Sequence, residues 1–225
     1  SVLGPVLFLI YINDIAAEIS RGVTVRLFAD DCLLYSKIRE EDDQHRLSAS
    51  VRSIQDWCSE WKMKIYTQKT VFARITSRTR HVLSFTYELD GSPLVEVDSF
   101  KYLGVTLSKD LSWGRHINEI CQKAMKKLWF LRRNLNSAPP QVKLMAYTTY
   151  IRPTLEYAAS VWDPYRKNQI GELEKVQRKA VRFILSKYKR LDSVTDMLNS
   201  LNLPLLSVRR KIARLKFFFM FSHHL

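Results

Sequence analysis

Asp30 and Asp31 are adjacent carboxylates with a short run of β-type residues on each side, 23–27 before them and 33–38 after. That pattern predicts a hairpin with Ala29, Asp30 and Asp31 at its tip. Neighbouring carboxylates repel, and the repulsion is relieved when they share divalent cations. Phosphoryl transfer uses such a site, with two Mg²⁺ ions roughly 3.5–4 Å apart that activate the attacking hydroxyl and stabilise the leaving oxygen. Strand alternation sends neighbouring residues to opposite faces, so Asp30 and Asp31 can reach the same ions only where the turn breaks the alternation. Taken alone, an Asp-Asp pair fits a solvated turn better than a metal site, and the rest of the chain has to decide between them.

The second chemistry on offer is phosphate binding. Of the net charge of +14, residues 1–110 hold 14 Lys and Arg against 15 Asp and Glu, a net of −1, and residues 111–225 hold 22 against 7, a net of +15. A basic half beside a neutral half fits one region that grips a polyanionic backbone and another with a different task. Lys123, Lys126, Lys127, Arg132 and Arg133 recur at helical spacing, as do Lys175, Arg178, Lys179 and Arg182. Faces of this kind contact phosphates without reading bases, although a solvated helix surface has the same composition. Trp113, Trp129 and Trp162 are expected in the core.

The elements that position these residues follow from periodicity. A Gly4-Pro5 turn is expected to lead into a mostly buried helix over 6–19. Glu40, Glu41, Asp42 and Asp43 supply first-turn acids to a helix carrying Leu47, Val51, Ile54, Trp57 or Cys58, and Trp61 inward. Strand-like runs follow at 71–75, 82–89, 94–97 and 102–107, with Asp90-Gly91 as a hairpin turn. From Trp113 onward the period is helical: Ile117, Ile120 or Cys121, Ala124, Leu128, Leu131 and Leu135 make one apolar stripe, and Ile170, Leu173, Val176, Ala180, Val181 and Ile184 another. Ala138-Pro139-Pro140 separates helices, Pro153 forces a further beginning, and 194–201 and 207–221 are helical around Leu203-Pro204. Strand pattern, charge and periodicity all change near Asp110, which divides the chain into 1–110 and 111–225. The expected fold class is α+β, antiparallel strands with packed helices followed by an all-helical region.

Three widely spaced cysteines, Cys32, Cys58 and Cys121, indicate neither a disulfide framework nor a zinc site, and suit an intracellular, nuclear or cytoplasmic setting rather than a secreted one. The longest apolar stretch, 2–12, is too short to span a bilayer. It opens the chain at Ser1 inside an apolar element, which reads as a piece of a longer protein.

Phe28-Ala29-Asp30-Asp31 resembles the F/Y-x-D-D box of reverse transcriptases. The run from Ser1-Val2-Leu3-Gly4-Pro5-Val6-Leu7-Phe8 to Tyr11-Ile12-Asn13-Asp14-Ile15 resembles the segment before that box in the non-LTR, LINE-type retrotransposons. Gln68-Lys69-Thr70 is similar to the family's close of the helix after the box, and Phe100-Lys101-Tyr102-Leu103-Gly104-Val105 to its primer-holding hairpin. Further on, 152–158, 161–165 and 173–180 resemble the region after the palm in arthropod-type elements.

The resemblance implies a C-terminal palm segment with a helical thumb, acting as part of an RNA-directed DNA polymerase on an RNA template, a DNA primer and deoxynucleoside triphosphates. It implies metal-binding and catalytic roles for Asp30 and Asp31 with two Mg²⁺ ions, and a place beside the primer terminus for Phe28, with Ala29 in the same box. Leu3, Gly4 and Pro5 would border the incoming nucleotide and template. Lys69 would stand near the leaving pyrophosphate, Tyr102, Leu103 and Gly104 would form the primer grip, and the basic helices would hold the nucleic-acid backbone. Two departures stand out. Tyr66 occupies a place where the family commonly has asparagine, and the family's first catalytic aspartate belongs to a strand before Ser1. The expectation is therefore that the chain alone polymerises little. The alternative is a non-catalytic nucleic-acid-binding remnant in which the aspartates are idle.

Overall fold

The computed structural model describes residues 3–76 and 83–223, so Ser1, Val2 and the start of the strand-like run at Val82 lie outside the described residues. The chain is a mixed α+β structure that divides into two compact units, Ser1–Phe100 and Lys101–Leu225.

In the first unit, α1 (Leu3–Ile12) continues into a 3₁₀ segment, Asn13–Glu18. Gly4 and Pro5 lie inside the first turn of α1 rather than in a turn before it; a proline is tolerated there because first-turn amides have no helical acceptor in any case. The expected burial of this helix does not hold. Leu3, Val6, Leu7, Leu9 and Ile10 are exposed, and Ile12 is its one buried residue, because within the unit the helix meets the core through Phe8, Tyr11 and Ile12. That core joins Ile12 and Ile15 to Ile54, Trp57 and Cys58, with Leu27 and Leu34 packed against it.

β1 (Val23–Phe28) pairs antiparallel with β2 (Asp31–Ser36) in a register that sets Phe28 opposite Asp31 and Leu27 opposite Cys32. α2 (Glu41–Glu60) lies against both strands. Its acidic start is a capping box: the Glu40 side chain accepts from an amide of the first turn, and the Asp43 carboxylate accepts from the Glu40 amide at 3.2 Å. The Arg39 amide, which donates to Asp43 at 2.7 Å, then the Arg46 side chain and the Glu40 amide hold the Asp43 carboxyl below its ordinary pKa.

The strand-like runs that follow condense into short pieces: β3 (Val71–Phe72), β4 (Glu88–Leu89), β5 (Ser92–Pro93) and β6 (Val95–Glu96). β4 and β5 close over Asp90 and Gly91, whose φ values of 53° and 66° are those of the hairpin turn expected from an Asp-Gly pair. β3 pairs parallel with β6, and Arg74 bridges to Glu96 at 3.2 Å.

β7 (Ser99–Tyr102), whose last two residues open the second unit, pairs with β8 (Val105–Ser108), and helices follow. α3 (Gly114–Asn134) buries Ile117, Cys121, Ala124, Leu128 and Leu131, the stripe its periodicity predicts. α4 (Pro140–Ala146) passes through a π-helical turn, Tyr147–Ile151, into α5 (Arg152–Glu156). Pro153 stands in the first turn of α5, where its missing amide costs no hydrogen bond, and the widened turn before it makes room for the ring. α6 (Ala159–Trp162) and α7 (Lys167–Leu185) follow, then α8 (Val194–Ser200) and α9 (Leu206–Ser222). α7 packs on α3, α4, α8 and α9 and buries Leu173, Val176, Ala180, Val181 and Ile184, again as its stripe predicts. Polar residues lock this core. The Tyr147 hydroxyl donates to Gln177 at 2.7 Å, Gln177 donates to the Pro204 carbonyl at 2.9 Å, and Glu174 accepts the Ser207 amide at the start of α9.

Candidate functional site

The β1–β2 turn is built by two residues, Ala29 and Asp30, with Asp31 already the first residue of β2. Ala29 adopts φ +51°, a left-handed value that suits the twist of a tight hairpin but costs an L-residue with a side chain roughly 1–2 kcal/mol. Since Asp30 belongs to the turn and Asp31 to the strand, their carboxylates are not bound by strict strand alternation. Both are exposed, and neither has a hydrogen-bond or ion-pair partner among the described residues. Phe28, opposite Asp31 in the ladder, is 60% exposed. An aromatic and two unpaired carboxylates thus stand together on a solvent-facing tip.

Two hard, anionic oxygen donors of this kind suit a divalent cation such as Mg²⁺. No group of three or more His, Cys, Asp or Glu side chains gathers into a metal site among the described residues.

The other expected positions fall as follows. Leu3, Gly4 and Pro5 are exposed in the first turn of α1, and nothing approaches within 4 Å of where a Cβ on Gly4 would stand. Lys69 does not close α2, which ends at Glu60; it ends a separate 3₁₀ turn, Thr67–Lys69. Its ammonium lies over the Tyr66 ring, 5.0 Å from the centroid, and the Tyr66 hydroxyl donates to Gln68 at 3.1 Å. Tyr102 ends β7, and Leu103 and Gly104 make the two-residue turn to β8, with φ +45° and +82°.

The basic residues of the second unit separate into two groups. Lys123, Lys126 and Arg133 of α3 and Lys179 of α7 are exposed and have no hydrogen bond or ion pair among the described residues. At about 100° per residue the three on α3 share one face, opposite the buried stripe. The others have internal partners. Lys127 donates to the Tyr150 carbonyl at 2.9 Å and to Thr154 at 2.7 Å, and partial burial, with Lys123 adding to it, holds its pKa below the ordinary lysine value. Lys175 pairs with Glu172 at 3.6 Å, and Arg178 donates to the Gly171 carbonyl. Arg182 donates to the carbonyls of Lys187, Lys189 and Asp192. Arg132 lies over Trp129 and Tyr188. Trp129 corrects the expectation for the tryptophans: Trp162 is fully buried, whereas Trp129 is 52% exposed, since it falls outside the apolar stripe of α3.

Comparison with known proteins gives the class. Residues 1–107 match the reverse transcriptase (RNA-dependent DNA polymerase) family, a stretch that contains the Asp30-Asp31 hairpin. The resemblance read from the motifs is borne out: residues 1–107 match that family, and the relatives found are RNA-directed DNA polymerases of non-LTR elements. Over 194 residues it is 27% identical to the probable RNA-directed DNA polymerase from transposon BS of Drosophila melanogaster, covering 82% of this chain and 21% of that protein. It is 29% identical over 198 residues to the RNA-directed DNA polymerase from mobile element jockey of Drosophila funebris, again covering 82% and 21%. A Pol polyprotein from a type-1 retrotransposable element R1 of Nasonia vitripennis is 24% identical over 82% of this chain and 47% of its own length. The chain thus spans about a fifth of the length of the first two relatives. No solved structure matches. The family matched by residues 1–107 depends in general on a divalent metal. No helix among the described residues is long and apolar enough to cross a membrane.

Proposed function

We propose that this chain is a working segment of an RNA-directed DNA polymerase of a non-LTR retrotransposon, residues 1–110 forming part of the palm and 111–225 a thumb-like region. The observation that carries the reading is the hairpin turn inside the matched residues, where Asp30 and Asp31 project unpaired carboxylates beside an exposed Phe28. In this reading Asp30 and Asp31 hold Mg²⁺, with a third carboxylate contributed by another segment of the polymerase. Bound there, the metal supplies Lewis-acid stabilisation of the charge that develops during nucleotidyl transfer.

Phe28 supports the primer-terminal nucleotide with its exposed ring, and Ala29 sets the turn that presents the acids. Leu3, Gly4 and Pro5 border the incoming deoxynucleoside triphosphate and the RNA template; the open space around Gly4 suits close backbone approach by a ligand. Lys69 neutralises charge on the departing pyrophosphate, its exposed ammonium being free to leave the Tyr66 ring. Tyr102, Leu103 and Gly104 hold the primer strand. Lys123, Lys126, Arg133 and Lys179 neutralise backbone phosphates, whereas Lys127 and Arg182 act mainly by organising the helices and loops around them.

Manganese titration of the isotopically labelled 225-residue chain, followed by amide NMR, tests the metal assignment. Paramagnetic broadening should centre on Phe28–Cys32 and disappear in Asp30→Asn. Broadening centred on Glu40–Asp43 and unchanged by that substitution would remove the hairpin from the mechanism and favour the second reading, a nucleic-acid-binding remnant, which the unpaired cations of α3 support by themselves.

A further inference from the structure

The sequence places Trp129 three residues before Arg132 on α3, and the fold brings Tyr188, from the loop after α7, to the same guanidinium. Arg132 Cζ lies 4.7 Å from the Trp129 ring centroid and 5.4 Å from that of Tyr188. Both aromatics stay open to solvent, at 52% and 53% exposure. Packing does not account for two large rings held at the surface by one cation. Each retains an accessible aromatic area that water solvates poorly.

The loop that carries Tyr188 is held in place. Ser186 ends α7 in a left-handed conformation, and Arg182 then clamps the loop by donating to the carbonyls of Lys187 at 3.4 Å, Lys189 at 3.2 Å and Asp192 at 3.3 Å. The Asp192 carboxylate turns inward to accept the Lys189 amide at 2.8 Å. The exposed residues that neighbour the rings in sequence include the cations Arg133 on the helix and Lys187, Lys189 and Arg190 on the loop, with the apolar Phe130 and Leu191 among them.

We infer that Trp129, Arg132 and Tyr188 form a stacking platform for unpaired nucleobases, with Arg133, Lys187, Lys189 and Arg190 receiving the phosphates of the same strand. Exposed aromatic faces set among cations match the two surfaces of a single strand, flat bases and a polyanionic backbone. A duplex offers the phosphates but keeps its base faces stacked on one another, so it would leave the rings unused. The inference rests on the reading of the second unit as a nucleic-acid-binding region, and it deepens that reading by naming single-stranded template or product as what this surface holds.

The test is a fluorescence-anisotropy titration of the 225-residue chain with a labelled oligouridylate 12-mer, an abasic 12-mer of equal charge, and a 12-base-pair duplex. The intact chain should bind the oligouridylate more tightly than the abasic strand. Trp129→Ala should weaken oligouridylate binding on the order of tenfold, Tyr188→Ala should weaken it in the same direction, and Trp129→Phe should restore most of the loss. Abasic-strand and duplex affinities should be unchanged by Trp129→Ala, with helix content by circular dichroism the same in each variant. Equal binding of oligouridylate by the intact chain and Trp129→Ala, or a loss in Trp129→Ala that is as large for the abasic strand, would overturn the platform while leaving the phosphate-binding reading standing. Failure of the intact chain to bind any of the three would overturn both.

Discussion

The Tyr157 hydroxyl donates to the Leu103 carbonyl at 3.0 Å, and the same ring covers Gly104, where an added Cβ would meet Tyr157 Cε1 at 3.0 Å. The turn between β7 and β8 is thereby fastened to the residue that follows α5. Gly104 also has φ +82°, so its lack of a side chain is required twice over, by backbone and by neighbour. Gly104→Ala should cost about 1–3 kcal/mol in urea unfolding, and Tyr157→Phe no more than about 1 kcal/mol. Equal losses in the two variants would mean that the hydrogen bond, and not the turn, sets the stability.

Arg210 should make Asp163 indispensable. The arginine side chain is fully buried, its Nε donates to Asp163 at 2.9 Å, and both terminal nitrogens have no partner. Asp163→Ala leaves an uncompensated buried cation and should destabilise by about 3–5 kcal/mol. Arg210→Met, which removes the charge and keeps the volume, should cost much less. Similar unfolding midpoints for the two would contradict this ordering.

Below neutral pH the second unit should weaken through His116. This residue is buried, its Nδ1 accepts the Thr106 amide at 3.2 Å, and Nε2 has no partner. Burial holds its pKa below the ordinary 6.5, with Glu119 raising it and Lys101 lowering it further. The unfolded chain therefore takes up this proton more readily than the folded one. Its stabilising contribution is intact above about pH 6.5 and is lost progressively as the pH falls toward the depressed folded value. Asp43 and Asp110, both held low by hydrogen bonds, begin to lose theirs only further down, below the ordinary carboxylate value. Urea midpoints measured between about pH 7.5 and pH 5 should fall for the unmodified chain and stay flatter for His116→Asn. Parallel curves would exclude His116 as the source.

Salt dependence should report the exposed face of α3. If Lys123, Lys126 and Arg133 each neutralise a duplex phosphate, replacing all three by Gln should lower the slope of log affinity against log salt by about 2–3. Replacing Lys127 should act chiefly on stability, since its ammonium is spent on Tyr150 and Thr154. An unchanged slope in the triple variant would place the phosphate contacts elsewhere.

The features legible in the sequence were those set by local periodicity or turn chemistry. The stripes of α3 and α7, the Asp90-Gly91 turn, the acidic start of α2 and the Asp30 hairpin all follow from spacing and residue type. What escaped depends on partners distant in sequence. An apolar run such as Leu3–Ile12 reads as buried whether or not anything covers it. Lys127 and Arg182 look like their solvent-facing neighbours until Tyr150, Thr154 and the loop carbonyls are placed beside them. Pro153 signals a beginning, but the sequence does not reveal that a π-turn makes room for it. Trp129 could have been moved off the core list by its angular position, which lies outside the stripe of Ile117, Cys121, Ala124 and Leu128.

Primer extension by the longer polymerase in which we propose this segment works, on an RNA template with Mg²⁺, tests the role of the paired carboxylates most directly. Asp30→Asn should reduce synthesis by at least about two orders of magnitude while RNA affinity is unchanged. Synthesis at the unmodified rate in Asp30→Asn would contradict the assignment of the hairpin as the catalytic point of the chain.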